Sequence, residues 1–564
     1  MLSHRVLPRD HFADDCPHLP ARPVRGPLSA LLGAALIALV AASAPACFVD
    51  DRPVVFERAR EVLGPLALKD QVAYVDSARD RVVAVDLSAD RQGRITTHAI
   101  GRRAVFATTT PDRARLAVIT AGEEAVVEGQ VDQAPALWLV EPGAPDTDPV
   151  GYDIGSPFDR IAISQDGSVA VAYFAPQGQG QGAGGYFRNP NELAVVHLDQ
   201  PPGDDNPVLR TVRSFGSAPL GVVLSPPMVI PGAEDDTPRT LAFVLAENDL
   251  TVLDATYPTR TEVSIRLDLG GEPVRPRELV FAPQTATVYV RSEGADDVLE
   301  ILIQAESRAG GEPDDNDFQP ALAELGAGGG PADIAVYDDA DGRRLVLAAT
   351  PGTRELVVID ADTGGFRLIA VPDPVDRVLL FPPGPDATPR VAVLASLGAG
   401  LARVHLLHLD RVTDELAPAE LTEVDVSEPV LDVVPVPGRE LGMLVHDDAR
   451  TVLGLLDVSI GTVAPLQGVG RLDTYAFSTA GTHLIGATAG IERVGFLDLD
   501  NLHPSDLRLD DAPQRVFAIP TGAVFIDHGD PFGRATILPS PMATRDQAQV
   551  LTGFLMNGLL DQRR

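Results

Sequence analysis

The run Tyr74-Val75-Asp76-Ser77, followed after two residues by Asp80-Arg81-Val82-Val83-Ala84-Val85-Asp86-Leu87, is two short β-forming stretches around a polar turn. β-Branched residues and alternation favour strands, and the Asp- and Ser-bearing break between them favours a turn. The same form recurs down the chain. Leu345-Val346-Leu347-Ala348-Ala349 turns through Thr350-Pro351-Gly352 into Leu356-Val357-Val358-Ile359-Asp360. Val288-Tyr289-Val290 turns through Gly294 into Val298-Leu299-Glu300-Ile301, and Leu455-Leu456-Asp457 and Phe496-Leu497-Asp498 close later units in the same way. Helical periodicity is almost absent from this region.

Taking the closing residues Asp86, Glu141, Asp199, Asp254, Ile303, Asp360, Asp410, Asp457 and Asp498 as markers, the period is roughly 40 to 60 residues, the blade period of a β-propeller. Each four-stranded blade covers its faces only by stacking on neighbours, so a closed ring explains how a chain of 564 residues forms one domain. The expectation is an all-β chain with a single large propeller of eight to ten blades over 69–542, two smaller tandem rings being the alternative. The units at Tyr74 to Leu87 and Leu345 to Ala361 resemble the YVTN-type propeller repeat. Ser164-Gln165-Asp166-Gly167 is similar to that family's Ser-Pro-Asp-Gly turn, with Gln165 in place of proline. The resemblance implies a fold and no particular activity.

Outside the repeat, residues 47–68 read as a tether, with Phe56, Ala59, Val62 and Leu63 spaced as one face of a short helix. At the other end, 543–564 reads as a helix packed on the ring. Thr544 and Gln547 suit a capping box, and Val550, Leu551, Phe554, Leu555 and Leu559 form an apolar stripe. Polar insertions at 177–185, 201–207, 232–238 and 310–317 read as surface loops, and the Gln-Gly repeat from Gln177 to Gly182 as a flexible one.

Residues 1–46 read as a targeting signal. No charged residue lies between Gly26 and Val49, and the apolar run Leu28 to Ala42 follows Arg22 and Arg25, the order of a signal peptide. Ser43-Ala44-Pro45-Ala46-Cys47 resembles the lipobox of bacterial lipoproteins, which implies a lipid on Cys47 and a membrane-anchored place in the cell envelope. Ala44-Pro45-Ala46 also fits ordinary secretory cleavage, and the apolar run approaches the length of an uncleaved anchor. The only other cysteine, Cys16, precedes the run, so a cleaved chain forms no internal disulfide.

A net charge of -35 sets the chain against nucleic acid and anionic headgroups, leaving the lipid as its expected contact with a membrane. No Gly-x-Ser-x-Gly elbow is present, and a lipidated Cys47 cannot act as a nucleophile. The histidines of the mature chain, His98, His197, His405, His408, His446, His483, His503 and His528, are scattered. His405 and His408 are three apart, which puts them on opposite faces of a strand. Asp338-Asp339-Ala340-Asp341-Gly342 and Asp314-Asp315-Asn316-Asp317 have the oxygens that calcium takes, but Asp and Gly are also turn residues, and neither matches an EF-hand loop. Gly326-Ala327-Gly328-Gly329-Gly330-Pro331 precedes a strand where a phosphate loop needs a helix, and so reads as an interblade loop. Trp138 is the single tryptophan, whereas quinoprotein propellers carry many.

These residues name no catalytic, cofactor or metal site. The expectation is a non-enzymatic scaffold that binds an envelope protein or surface ligand. A propeller-type hydrolase or lactonase is the alternative, and its mark would be a carboxylate, a histidine and an arginine converging at one mouth of the channel.

Overall fold

The computed structural model describes residues 62–556, apart from 124–131, 145–146, 176–188, 213–218, 234–235, 268–272, 306–318, 340, 383–387, 398, 411, 413–417, 447–451 and 468–471. The signal segment, Cys47, the Gln-Gly repeat, Asp314 to Asp317 and Leu559 therefore lie outside the described residues. Within them, forty strands form ten four-stranded antiparallel sheets, each made from four strands consecutive in the chain. These are the ten blades of a propeller: 62–99, 104–153, 160–212, 221–266, 275–325, 333–370, 377–425, 430–467, 474–508 and 515–552.

Blade 1 shows why such sequences take this form. Its second strand, Gln71–Asp76, and third strand, Arg81–Asp86, are buried at every position, because neighbouring blades cover both faces. Alternation therefore weakens into nearly continuous apolar runs in middle strands. It returns toward the rim, where the fourth strand of blade 9, His503–Arg508, is mostly exposed. First strands of successive blades touch one another at several joints, between blades 1 and 2, 5 and 6, and 9 and 10 among them, so they form the inner wall.

The core is divided into ten clusters, one for each joint. Phe243, Leu245 and Val252 of blade 4 meet Val288, Val290 and Ile301 of blade 5. The last joint brings Val72, Tyr74 and Val83 of blade 1 against Phe525 and Ile537 of blade 10. That contact closes a single ring and overturns the alternative of two tandem rings. Closure is made through side chains, by packing and hydrogen bonds with no strand crossing the joint, since every blade is contiguous in sequence.

Both edges of the propeller differ from the sequence reading. Val62–Ala67, assigned to the tether, is the first strand of blade 1, with Val62 opposite Asp76 and Leu63 opposite Val75. In the described part of the expected 543–564 helix, up to Met556, the chain instead forms a 3-10 turn at Arg545–Gln547, a strand at Gln549–Thr552 and a second 3-10 turn at Phe554–Met556. The strand pairs with Arg534 to Ile537 as the outer strand of blade 10. The open edge of a three-stranded blade supplies backbone partners that an isolated segment lacks, and it overrides the helical spacing. The capping pair does form: the Thr544 backbone N–H donates to Gln547 Oε1 at 3.0 Å.

Candidate ligand-binding face

Antiparallel order gives the ring two distinct faces. First strands begin, and second strands end, on what is here termed the entry face; third strands end on the opposite turn face. The closing aspartates of the repeat belong to the turn face, and the carboxylates of five of them are occupied. Asp86 Oδ1 accepts the Ser88 N–H, Asp254 Oδ1 those of Thr256 and Tyr257, and Asp360 Oδ1 those of Asp362 and Thr363. Asp457 and Asp498 do the same two residues on. The repeat's most regular residue is thus a turn former.

Asp339 is used alike. Its carboxylate accepts the N–H groups of Asp341 and Arg343, each at 2.9 Å, and pairs with the Arg343 guanidinium, while Asp338 pairs with Arg344. Among the described residues no three His, Cys, Asp or Glu side chains gather as a metal would need.

The histidines are dispersed around the ring. His197 contacts the Ala255 carbonyl, His446 that of Pro429, and His528 both the Ala512 carbonyl and the Thr536 hydroxyl. His405 is buried and His408 half-buried on their shared strand, Arg403–His408. His405 Nε2 lies 3.0 Å from Asp373 Oδ2, which also has Arg403 Nε at 3.6 Å. This is a carboxylate, a histidine and an arginine together on the entry face, though on the third strand of blade 7 and so two strands out from the inner wall. His405 Nδ1 is buried with no hydrogen-bond partner among the described residues, and Ser396 Oγ donates to the Pro374 carbonyl.

The entry face also has a pattern that the sequence reading missed. Arginine opens the first strands of blades 3, 5, 7 and 10, as Arg160, Arg275, Arg377 and Arg515. An aspartate stands before two of them. Asp159 Oδ1 accepts the Ala175 N–H at 2.7 Å and Asp376 Oδ1 that of Leu397 at 2.8 Å, and Asp473 does this for Ala489 in blade 9. The carboxylate fastens the loop after the second strand to the start of the first. Burial pushes the Asp376 carboxyl above its ordinary range, and the nearby charge of Asp333 adds to that. The signal was present as Asp159-Arg160, Asp376-Arg377 and Gln514-Arg515, each followed by Ile or Val.

Between blades 5 and 6 this face opens into a cleft of about 420 Å³, lined by Arg277, Arg291 and Ser292 to Ala295 on one side and by Gly330 to Ala332 on the other. Arg277 owes its position to a β-bulge, the register slipping between Pro276 and Glu278. A bulged residue leaves the ladder and re-aims its side chain. Arg277 Nε reaches Glu293 Oε2 at 2.9 Å and Nη2 contacts the same oxygen. That bond and the adjacent positive charge hold the Glu293 carboxyl below the usual range. Behind it, Arg291 Nε donates to the fully buried Glu278 at 3.1 Å. Beside the cleft, Asp297 Oδ1 accepts the N–H groups of Ala327 and Gly328, fastening the start of the glycine-rich run.

The glycine-rich run set aside as an interblade loop therefore forms one wall of the cleft. Gly330 sits at φ +62°, where side-chain-bearing residues are strained, and no atom lies closer than 4.0 Å to the position of a Cβ.

No family model matches the chain, and no curated protein matches it. Among solved structures it is similar to a dihydro-heme d1 dehydrogenase, NirN, in complex with DHE, at 13% identity over 79% of this chain and 78% of that one, with a TM-score of 0.38.

Proposed function

We propose that this protein is an exported, lipid-anchored propeller of YVTN-type repeats that serves the bacterial cell envelope as a non-enzymatic binding scaffold. The observation that carries the binding role is the cleft between blades 5 and 6, a formed concavity with one charged wall on the entry face. Preformed clefts of this size with a few fixed polar groups are where solutes and partner segments bind. The turn face has its repeated carboxylates committed to backbone, and the entry face alone joins a bulge, arginines and a glycine wall in one place.

The anchor rests on Ser43 to Cys47 and on the apolar run before it. Residues 48–61 then form the link from Cys47 to the first strand of blade 1, whose start lies on the entry face. Intact mass and membrane fractionation of the native chain and of Cys47→Ser, expressed in a bacterial host, test it. A membrane-bound native chain that begins at a lipid-bearing Cys47, beside a soluble variant, is the expected result. Two soluble forms beginning near Cys47 would instead make this a freely secreted protein.

A further inference from the structure

The cleft carries a more specific reading, which rests on the entry face being the binding face. Its charged lining consists of two guanidinium groups and one exposed carboxylate. Arg277 commits Nε and Nη2 to Glu293, and its Nη1 has no partner among the described residues. Arg291 commits Nε to the buried Glu278 and is among the residues that line the cleft. A guanidinium with donors left over matches the paired oxygens of a carboxylate or phosphate, and a charge-assisted bond of that kind is stronger than a neutral one.

Three features of the walls favour binding over incidental charge. The chain's net charge of -35 makes most of its surface repel anions, so a pair of arginines in a concavity stands out. Of the four first strands that slip in register near their start, only blade 5 places a charged residue in the slip; Gly64 and Pro65, Val105 and Leu431 hold the equivalent places in blades 1, 2 and 8. The Asp297 bonds to Ala327 and Gly328 hold the glycine-rich run that leads into the opposite wall, which lowers the entropy that binding must offset.

We infer that the cleft between blades 5 and 6 binds a small solute through an oxyanion, a carboxylate or a phosphate, held by Arg277 and Arg291 against the glycine wall at Gly330. Glu293 then faces the neighbouring part of the solute and selects a hydrogen-bond donor there.

Isothermal titration of the full-length chain with succinate, and separately with inorganic phosphate at matched ionic strength, tests the site. Saturable binding of one solute per chain is expected for at least one probe, succinate marking a carboxylate solute and phosphate a phosphorylated one. Arg277→Gln should weaken it by roughly ten-fold or more. Arg277→Glu, which reverses the charge at a part-exposed side chain outside the hydrophobic clusters, should abolish it while the circular dichroism and thermal midpoint stay those of the parent. Binding of neither probe, or binding that both variants leave unchanged, overturns the assignment. The measurement does not depend on the lipid, because Cys47→Ser should bind like the parent even if the anchor is absent.

Discussion

Tyr74 and Asp527 come from opposite ends of the ring and meet where it closes, the phenol donating to Asp527 Oδ1 at 2.9 Å inside the core. Burial raises both groups above their ordinary ranges. For Asp527 this means that the folded chain holds the proton more tightly than the unfolded one. Its contribution is fully present below the ordinary carboxylate range and is lost as the pH rises through the elevated folded value. Asp527→Asn should therefore remove part of the fall in thermal midpoint between pH 4 and pH 7, because an amide oxygen still accepts from Tyr74. Tyr74→Phe should cost about 1–3 kcal/mol at pH 7 by leaving the buried carboxylate with the Gly529 N–H and no phenol donor. Parallel pH profiles for Asp527→Asn and the parent would falsify this account. Gly294 makes a second prediction at this scale. It sits at φ +88°, and an added Cβ would lie 2.6 Å from the Pro273 carbonyl oxygen. Gly294→Ala should lower the thermal midpoint and loosen the cleft edge, a loss of about 1–3 kcal/mol by denaturant unfolding.

At the scale of elements, the repeat is built from turns as much as from strands. In five blades the aspartate closing the third strand organises the next turn, so Asp360→Ala should cost about 1–2 kcal/mol while Asp360→Asn keeps most of the stability, since either side chain offers an oxygen to Asp362 and Thr363. Equal losses for both would show that the charge matters and the bonds do not. This turn was legible in the sequence because it is local. The entry-face clamp was less so, since Asp159 and Ala175 are sixteen residues apart and the bond forms only once the hairpin is in register. The bulge at Arg277 had no visible signal beyond Pro276, whose missing N–H suits a break in the ladder. The last strand was misread for the opposite reason: Val550, Leu551, Phe554 and Leu555 keep helical spacing, yet the open edge of blade 10 takes the first two as a strand.

For the whole molecule, the decisive joint is the one between blades 10 and 1, because it links the two ends of the propeller without a crossing strand. The segment after the last strand reinforces it. Phe554 is buried against Tyr74 with ring centroids 5.3 Å apart, and Arg79 and Arg81 both donate to the Leu555 carbonyl. Phe554→Ala should cost about 3–5 kcal/mol, with faster hydrogen exchange concentrated in blades 1 and 10. Phe243→Ala, at the joint of blades 4 and 5, should spread its effect without opening that seam. Exchange that rises uniformly in both variants would argue against a ring with one privileged joint. The charge of -35 adds a global expectation: sodium chloride near physiological strength should raise the thermal midpoint by screening repulsion between acidic turns.

By itself the sequence determined the all-β class, the recurring blade and the turn chemistry, because alternation and Asx turns act over a few residues. The closed ring of ten, the start at Val62, the strand at Gln549–Thr552 and the cleft were decided by the tertiary structure. Each of these depends on which backbone edge or side chain arrives from far along the chain: Phe525 against Tyr74 at the seam, Arg534 beside Thr552 at the rim, and Gly330 facing Arg277 across the joint. Local propensity has no term for such partners, and burial supplies it only when the ring closes.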